Sequence, residues 1–274
     1  MLRLAIRVRR ADAELVLAEL LELVPSGVEE VALGDSVEYA VYGAPGELPA
    51  LPALRAAVGA AIVEVSTREI PDDWAERWRE FHRPLVLDGA ITVRPPWEPP
   101  GTTPIDVVID PGQAFGTGAH ATTRLCLELL LELEPLAAGP LLDLGCGSGV
   151  LGIVAARLGW TPVVAVDYDP ASVQATGANA EANGVRLDVL QLDLRIDPLP
   201  DTPTVVANLL SPLLITWASR IGPVPPRRVI ASGILLGEVD AVGRAFAIAG
   251  LDVVARRVRG EWAAVLLDQA PRAR

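Results

Sequence analysis

A glycine-rich run at residues 143–149, Asp-Leu-Gly-Cys-Gly-Ser-Gly, constrains the fold of this chain more than any other feature. It follows an apolar, strand-like stretch and precedes a helical pattern that begins at Val150. Glycines at alternate positions let the backbone turn sharply and let a ligand approach where a side chain would collide. The spacing is G-x-G-x-G, because Val150 stands where the dinucleotide fingerprint has its last glycine. The turn therefore predicts a nucleotide-type pocket for a ligand without a pyrophosphate.

A second feature is an acidic residue about 20 positions after the glycine-rich run, the distance at which nucleotide-binding folds place a carboxylate for the ribose. Asp167 ends the next strand-like run, 22 residues after Gly145. A carboxylate at the tip of the second strand can accept both hydroxyl hydrogens of an adenosine ribose. Asp169 is the rival, but it precedes Pro170 at a predicted helix start and suits capping better. We therefore expect Gly145, Gly147 and Asp167 to contact the cofactor.

Strand-like and helical stretches alternate from Ile105 onward, which implies a mostly parallel sheet covered on both faces. The last two apolar runs are separated by only three residues, too few for a parallel crossover, so the final strand is predicted to be antiparallel. A seven-stranded sheet with this ending is typical of Rossmann-like class I methyltransferases, whereas dinucleotide dehydrogenases usually continue parallel. The seven strand-like runs are 141–144, 163–167, 186–190, 205–208, 228–232, 251–258 and 262–267.

The first 70 residues form a separate pattern, with the order strand, helix, strand, strand, helix, strand. The strands are predicted at 2–8, 28–33, 37–42 and 62–70, and the helices at 11–24 and 47–60. This βαββαβ order is that of a ferredoxin-like unit. The segment has no phosphate loop and no histidine, so we expect a recognition or structural module rather than a catalytic one.

Residues 71–104 are predicted to connect this module to the sheet of residues 105–274. A short helix over 72–82 carries Trp74, Trp78 and Phe81 on one side, and an extended, proline-rich stretch follows it. Such an aromatic stripe could grip a substrate, but it more often packs into a domain junction, and we favour packing. We expect this segment to include an interdomain hinge or its support.

The composition narrows the chemistry further. All 23 basic residues are arginine, so no lysine is available for a Schiff base or a P-loop. Cys126 and Cys146 show no zinc spacing and are expected to be free thiols, and we expect no metal site.

The net charge of −12 disfavours broad binding to nucleic-acid phosphates and suits a basic protein partner, although acidity can also serve solubility alone. Without an apolar span or a secretion signal, we expect a cytoplasmic protein.

Two further positions are candidates for chemistry. Asn208 ends the fourth strand of the predicted sheet, where its amide could orient an amine or bind the amino-acid part of a cofactor. Upstream, a glycine-broken loop over 113–123 leads into a helix, and the Thr123 hydroxyl lies in its first turn. His120 in this loop is a candidate general base. The alternative, which we favour, is that His120 fixes the loop by hydrogen bonding.

These motifs together resemble the PrmA family of ribosomal protein L11 methyltransferases over most of residues 70–268. The segment Phe-Gly-Thr-Gly-x-His-x-Thr-Thr at 115–123 is the most specific of them. The resemblance implies that Thr123, Gly145, Asp167 and Asn208 contact S-adenosylmethionine, and that residues 1–70 dock the ribosomal protein. The other segments that carry the resemblance are 143–149, 166–170, 207–210, 232–235 and 260–262.

The activity implied by this resemblance is N-methylation of lysine side chains and of the terminal amine of ribosomal protein L11. A sulfonium methyl group is already activated, so the enzyme must align the reacting atoms, exclude water and favour the neutral amine. Three alternatives stay open. The chain could methylate a small molecule or a nucleic acid with the same cofactor, it could be a nicotinamide oxidoreductase, or it could be a noncatalytic module that retains the pocket.

Overall fold

The computed structural model describes residues 2–13, 15–17, 20, 28–43, 48, 61–69, 83–111, 120–133 and 139–269. The chain forms two compact units, the first of residues 1–81 with 112–115 and the second of residues 82–111 with 116–274. The predicted aromatic helix over 72–82 lies outside the described residues, and the hinge assigned to 71–104 stays a prediction. Residues 83–104 belong to the second unit.

The first unit is built on a four-stranded antiparallel sheet with the order β2-β3-β1-β4. Residues of β1 that alternate along the strand, Leu4, Ile6 and Val8, are buried, and Tyr39 donates a 2.9 Å hydrogen bond to the carbonyl of Ala13. This order is that of the predicted ferredoxin-like unit. Of the predicted helix over 47–60, only Leu48 is described. The strands are β1 (Leu2–Arg9), β2 (Glu29–Leu33), β3 (Ser36–Gly43) and β4 (Ile62–Glu69).

The second unit begins with a small three-stranded sheet that the sequence patterns did not predict. Its strands are β5 (Leu85–Leu87), β6 (Ile91–Arg94) and β7 (Ile105–Val108), and β6 pairs parallel with β7. Arg94 binds the carboxylate of Asp106 through two guanidinium nitrogens at 2.8–3.0 Å, and these hydrogen bonds lower the pKa of Asp106. Part of the segment expected to be an extended connection is therefore a folded part of the second unit.

The main sheet of the second unit has seven strands in the order β10-β9-β8-β11-β12-β14-β13. The last strand pairs antiparallel with both of its neighbours, which confirms the predicted ending. The central strands β8, β11 and β12 are almost wholly buried, as expected for a parallel sheet covered on both faces. The strands are β8 (Leu141–Leu144), β9 (Val163–Asp167), β10 (Asp188–Gln191), β11 (Thr204–Asn208), β12 (Arg228–Leu235), β13 (Leu251–Arg259) and β14 (Trp262–Gln269).

Among the described residues of the second unit, five helices cover this sheet, with one apolar core on each face. Apolar residues of α1, α2 and α3 join the first core together with the small sheet, and those of α4 and α5 form the second. In the part of the chain that the structure describes, no helix is both long enough and apolar enough to cross a membrane. The helices are α1 (Ala121–Leu133), α2 (Val150–Arg157), α3 (Pro170–Ala182), α4 (Ser211–Arg220) and α5 (Val239–Ile248).

Candidate functional site

The glycine turn, residues 145–149, joins β8 to α2 at the centre of the main sheet. Gly145, Gly147 and Gly149 have φ angles of 76°, 52° and 81°, in the left-handed region that favours glycine. The amides of Gly145 and Cys146 donate to the carbonyl of Val166 on the neighbouring strand, at 2.9 and 3.0 Å. The turn is thus held against the end of β9.

Asp167 is held by the main chain on both of its carboxylate oxygens. Oδ2 accepts the amide of Gly147 and Oδ1 accepts the amide of Asp169, each at 3.0 Å. Each oxygen has a further lone pair for another donor. Burial raises the pKa of Asp167, and the hydrogen bonds from Asp169 and Gly147 partly offset this. Both carboxylate oxygens can therefore accept a further hydrogen bond from a ligand hydroxyl.

Asp169 is the cap of α3, as predicted. Its side chain accepts the amides of Ala171 and Ser172 at 3.1 and 3.3 Å, and Pro170 takes the first helical position. Both oxygens of the Asp169 carboxylate are therefore engaged with α3, whereas Asp167 is the carboxylate that contacts the glycine turn. The two neighbouring carboxylates therefore have different structural surroundings.

Asn208 and Thr123 meet on the other side of the glycine turn. The side-chain amide of Asn208 donates to the hydroxyl of Thr123 over 3.4 Å, and Thr123 is fully buried. The end of β8 pairs with β9 on one side and with β11 on the other, so Asp167 and Asn208 flank Gly145. Chain connections leave the sheet in opposite directions at this point, which is where open α/β sheets bind ligands.

Leu209, which the sequence analysis did not single out, fixes the position of Asn208. Its amide donates to the carbonyl of Ser232 at 3.0 Å. Its side chain occupies the space that a Cβ on Gly145 would need, and its carbonyl lies where a Cβ on Gly233 would be. Two glycines thus make room for Leu209. The available signal in the sequence was the presence of these glycines in the segments 143–149 and 232–235, but the sequence does not show which residue they accommodate.

His120 lies at the start of α1, beside Thr122 and Trp262. Its Nδ1 accepts the amide of Thr122 at 3.4 Å and lies 2.8 Å from the hydroxyl of the same residue. The imidazole ring also makes an edge-to-face contact with the ring of Trp262, with 5.2 Å between the two ring centroids. Burial lowers the pKa of His120, which favours the neutral ring. This geometry supports the loop-fixing role, and the role of general base stays a prediction. Residues 113–119 of the same loop lie outside the described residues.

Asp143 is fully buried beneath the turn. Its Oδ2 accepts the amide of Gly152 at 2.8 Å, and burial raises its pKa to about 7. The thiols of Cys126 and Cys146 are both free and buried, and burial raises their pKa, which makes them poor nucleophiles. Within the described ranges, no three side chains of His, Cys, Asp or Glu come together in a way that could hold a metal ion.

Asp193 is a second acidic residue at this edge of the sheet that the sequence analysis did not single out. It follows β10, the strand beside β9, and its position after an apolar strand was the available signal. The guanidinium and amide of Arg195 bind its carboxylate at 2.8–3.1 Å, which lowers its pKa. An ionised carboxylate here could accept a hydrogen from an amino group of an adenine ring.

The arrangement as a whole suits an adenosine that carries a charged amino-acid chain. Asp167 offers two acceptors for ribose hydroxyls, and three glycines leave room for a ligand at the turn. The partly buried amide of Asn208, which is hydrogen-bonded to the buried Thr123, offers a polar group on the other side of the turn. All of the predicted cofactor residues therefore come together at one edge of the sheet; they are Thr123, Gly145, Gly147, Asp167 and Asn208.

Comparison with known proteins gives a consistent result. The family model for ribosomal protein L11 methyltransferase (PrmA) matches residues 51–270. The ribosomal protein L11 methyltransferase of Pelotomaculum thermopropionicum is 41% identical over 73% of this chain and 67% of its own length. That of Bordetella parapertussis is 36% identical over 90% of this chain and 93% of its own.

Solved structures point the same way. The crystal structure of the ribosomal protein L11 methylase from Lactobacillus delbrueckii subsp. bulgaricus superposes with a TM-score of 0.62 at 26% identity. The match covers 69% of this chain and 99% of that one. The chain therefore belongs to the ribosomal protein L11 methyltransferase family, a family of S-adenosylmethionine-dependent methyltransferases.

Proposed function

We propose that this chain is a protein N-methyltransferase that transfers methyl groups from S-adenosylmethionine to lysine side chains and to the terminal amine of ribosomal protein L11. The observation that carries the proposal is the placement of Asp167 and the Thr123–Asn208 pair on either side of the glycine turn. The names of the relatives and the resemblance of the loop over 115–123 support the choice of substrate.

The residues present fit this cofactor. In the proposed arrangement, Asp167 binds the ribose hydroxyls, Gly145 and Gly147 border the adenosine, and Thr123 and Asn208 bind the methionyl part. When bound, the cofactor supplies a methyl group that its sulfonium already activates. The chain must then hold the amine in line with that group and keep water out, effects that are worth ~7–11 kcal/mol when the geometry is right.

The amine itself must lose its proton before it can attack. A lysine amine with an ordinary pKa of ~10.4 is charged at neutral pH, so the site has to favour the neutral form by desolvation. Asn208 carries both a donor and an acceptor and would orient the amine without removing its proton. In this proposal the amine gives its proton to solvent water as it leaves the solvent for the desolvated site, and His120, whose Nδ1 contacts Thr122, does not take the proton.

The partner fits the charge of the chain. A net charge of −12 attracts a basic protein over long distances at low salt. Residues 1–70 would dock the ribosomal protein. A hinge within residues 71–104, of which 83–104 belong to the second unit, would allow several amines of that protein to reach one site. We further propose that the protein works in the cytoplasm and does not bind nucleic acid directly.

Mass spectrometry of isolated ribosomal protein L11 after incubation with the enzyme and S-adenosylmethionine tests this function. We expect mass increments of whole methyl groups on lysine side chains and on the terminal amine, and none when S-adenosylhomocysteine is present in excess. A chain lacking residues 1–70 should bind the cofactor but leave the protein unmodified. Methyl transfer to RNA or to a small molecule, with none to the protein, would instead support the alternative substrate class.

A further inference from the structure

Helix α3 buries polar side chains where an apolar face is expected. Its buried polar residues recur at helical spacing and are 0–7% exposed, and they continue to the residue that caps the helix. A helix that packs on a sheet usually presents apolar residues there, and buried polar groups need partners. The residues of this polar stripe are Ser172, Thr176, Asn179 and Asn183.

Two members of the polar stripe hold consecutive carbonyls of the glycine turn. The hydroxyl of Thr176 donates to the carbonyl of Gly147 at 2.9 Å. The side-chain amide of Asn179 donates to the carbonyl of Ser148, also at 2.9 Å. The Asn179 oxygen accepts the amide of Asp110 at 3.0 Å, so all of these groups are satisfied within the second unit.

These contacts reach Asp167 through one residue. Gly147, whose carbonyl Thr176 holds, donates its amide to Oδ2 of Asp167. The carbonyl and the amide of Gly147 belong to two planar peptide groups that meet at its Cα, so hydrogen bonds to both groups together restrict the φ and ψ angles of this residue. The methyl group of Thr176 also packs on Gly149, where an added Cβ would lie 2.8 Å from it. Helix α3 therefore sets the shape of the turn and, with it, the direction of the carboxylate.

We propose that Thr176 and Asn179 are positioning residues for S-adenosylmethionine, acting through Gly147, Ser148 and Asp167 without touching the cofactor. This inference rests on the proposed function, because the cofactor site is what the two side chains would shape. It predicts that their loss weakens cofactor binding by more than the accompanying loss of stability explains.

Asn183 provides a matched control on the same helix. Its side-chain amide makes equally good hydrogen bonds, with Oδ1 accepting the amide of Val108 at 2.8 Å and Nδ2 donating to the carbonyl of Val108 at 2.6 Å. No hydrogen bond links its side chain to the glycine turn in the described residues. Replacement of either asparagine by aspartate keeps the acceptor and removes the donor, so Asn183→Asp and Asn179→Asp disturb α3 alike but only the latter releases Ser148.

The test is the dissociation constant of S-adenosylmethionine by calorimetry, with kcat and KM on the ribosomal protein. Thr176→Val keeps the shape of the side chain and removes the hydroxyl, and Thr176→Ser restores the hydroxyl. We expect Thr176→Val and Asn179→Asp to weaken binding and raise the cofactor KM about tenfold, the effect of ~1.4 kcal/mol. Thr176→Ser and Asn183→Asp should stay within about threefold of wild type, and kcat at saturating cofactor should change less than KM.

Three results would overturn the inference. Wild-type affinity in both Thr176→Val and Asn179→Asp would exclude a positioning role, and an equal loss in Asn183→Asp would reduce the effect to general destabilisation. If a variant does not fold, hydrogen exchange on the wild type decides, because the amides of Gly147 and Asp110 should exchange more slowly once the cofactor is added. Unchanged exchange at both would overturn the inference. A wild-type chain that binds no S-adenosylmethionine would refute the proposed function instead.

Discussion

The amide of Gly147 donates a hydrogen bond of 3.0 Å to Oδ2 of Asp167, a residue 20 positions further along the chain. The same turn is anchored by amides of Gly145 and Cys146 on Val166, next to Asp167. The glycine turn and the carboxylate are therefore one structural unit. A carboxylate oriented in advance loses less conformational entropy when a ligand binds, which raises affinity.

Replacement of Asp167 by Ala should therefore abolish most of the cofactor affinity. The carboxylate would accept two ribose hydroxyls, and hydrogen bonds to a charged group contribute ~1.5–3 kcal/mol each, so we expect a loss of at least about a hundredfold. Asp169→Asn is the matched control, because asparagine also caps a helix and this side chain faces α3. Titration calorimetry measures both. Equal affinity in Asp167→Ala and wild type would contradict the ribose role.

Asp143 should make the stability of the protein depend on pH. Its pKa is about 7 in the folded state and ~3.9 for an ordinary aspartate, so the folded protein holds a proton that the unfolded chain has released. Stability from this residue is therefore greatest at low pH, falls as pH rises from about 4 to 7, and levels off above that range. In Asp143→Asn this part of the decline should disappear, as urea unfolding at several pH values would show. Parallel stability profiles for the two proteins would contradict the assignment.

Gly233→Ala should destabilise the protein and weaken cofactor binding together. Gly233 has a φ of 81°, and an added Cβ would collide with the carbonyl of Leu209, the residue next to Asn208. A forced backbone shift of this kind costs ~1–3 kcal/mol. Gly237→Ala serves as the control, because a Cβ there meets nothing within 4 Å. If thermal unfolding and cofactor affinity respond alike to both substitutions, Leu209 does not position Asn208 in the way described.

His120→Asn separates the two roles considered for that residue. Asparagine can accept the amide of Thr122 in place of the ring, so a loop-fixing residue should tolerate the change, with kcat within about fivefold of wild type. Loss of a general base costs about 10²–10⁴ in rate. Steady-state kinetics on the ribosomal protein at several pH values distinguishes these outcomes. A decrease in kcat of the larger size, in a folded variant, would establish the base.

The main sheet could be predicted from the sequence because its strands and helices follow from patterns within short stretches of the chain. Each strand is a short apolar run, and apolar residues recur at helical spacing in α1, α4 and α5. Only two residues separate β13 from β14, which determines their antiparallel pairing. The division of roles between Asp167 and Asp169 was predictable for the same reason, since Pro170 marks the helix start. These features depend on neighbours in sequence.

The features that escaped prediction depend on partners far away in sequence. Strand β6 pairs with β7, although the proline-rich residues 95–104 separate them. The alternation of apolar residues in either strand does not indicate which strand it pairs with. The sequence does not distinguish Thr176 from the other polar residues of α3, because its hydrogen-bond partner, Gly147, lies 29 positions earlier in the chain. Leu209 resembled any apolar loop residue, because its role comes from the space left by Gly145 in the glycine turn and by Gly233 on β12.

Calorimetric titration of the wild-type chain with S-adenosylmethionine, and separately with a nicotinamide dinucleotide, measures which ligand the glycine turn and Asp167 bind. We expect saturable binding of S-adenosylmethionine that is lost in Asp167→Ala and retained in Asp169→Asn, and no saturation with the dinucleotide. Saturation with the dinucleotide and no heat with S-adenosylmethionine would contradict this expectation.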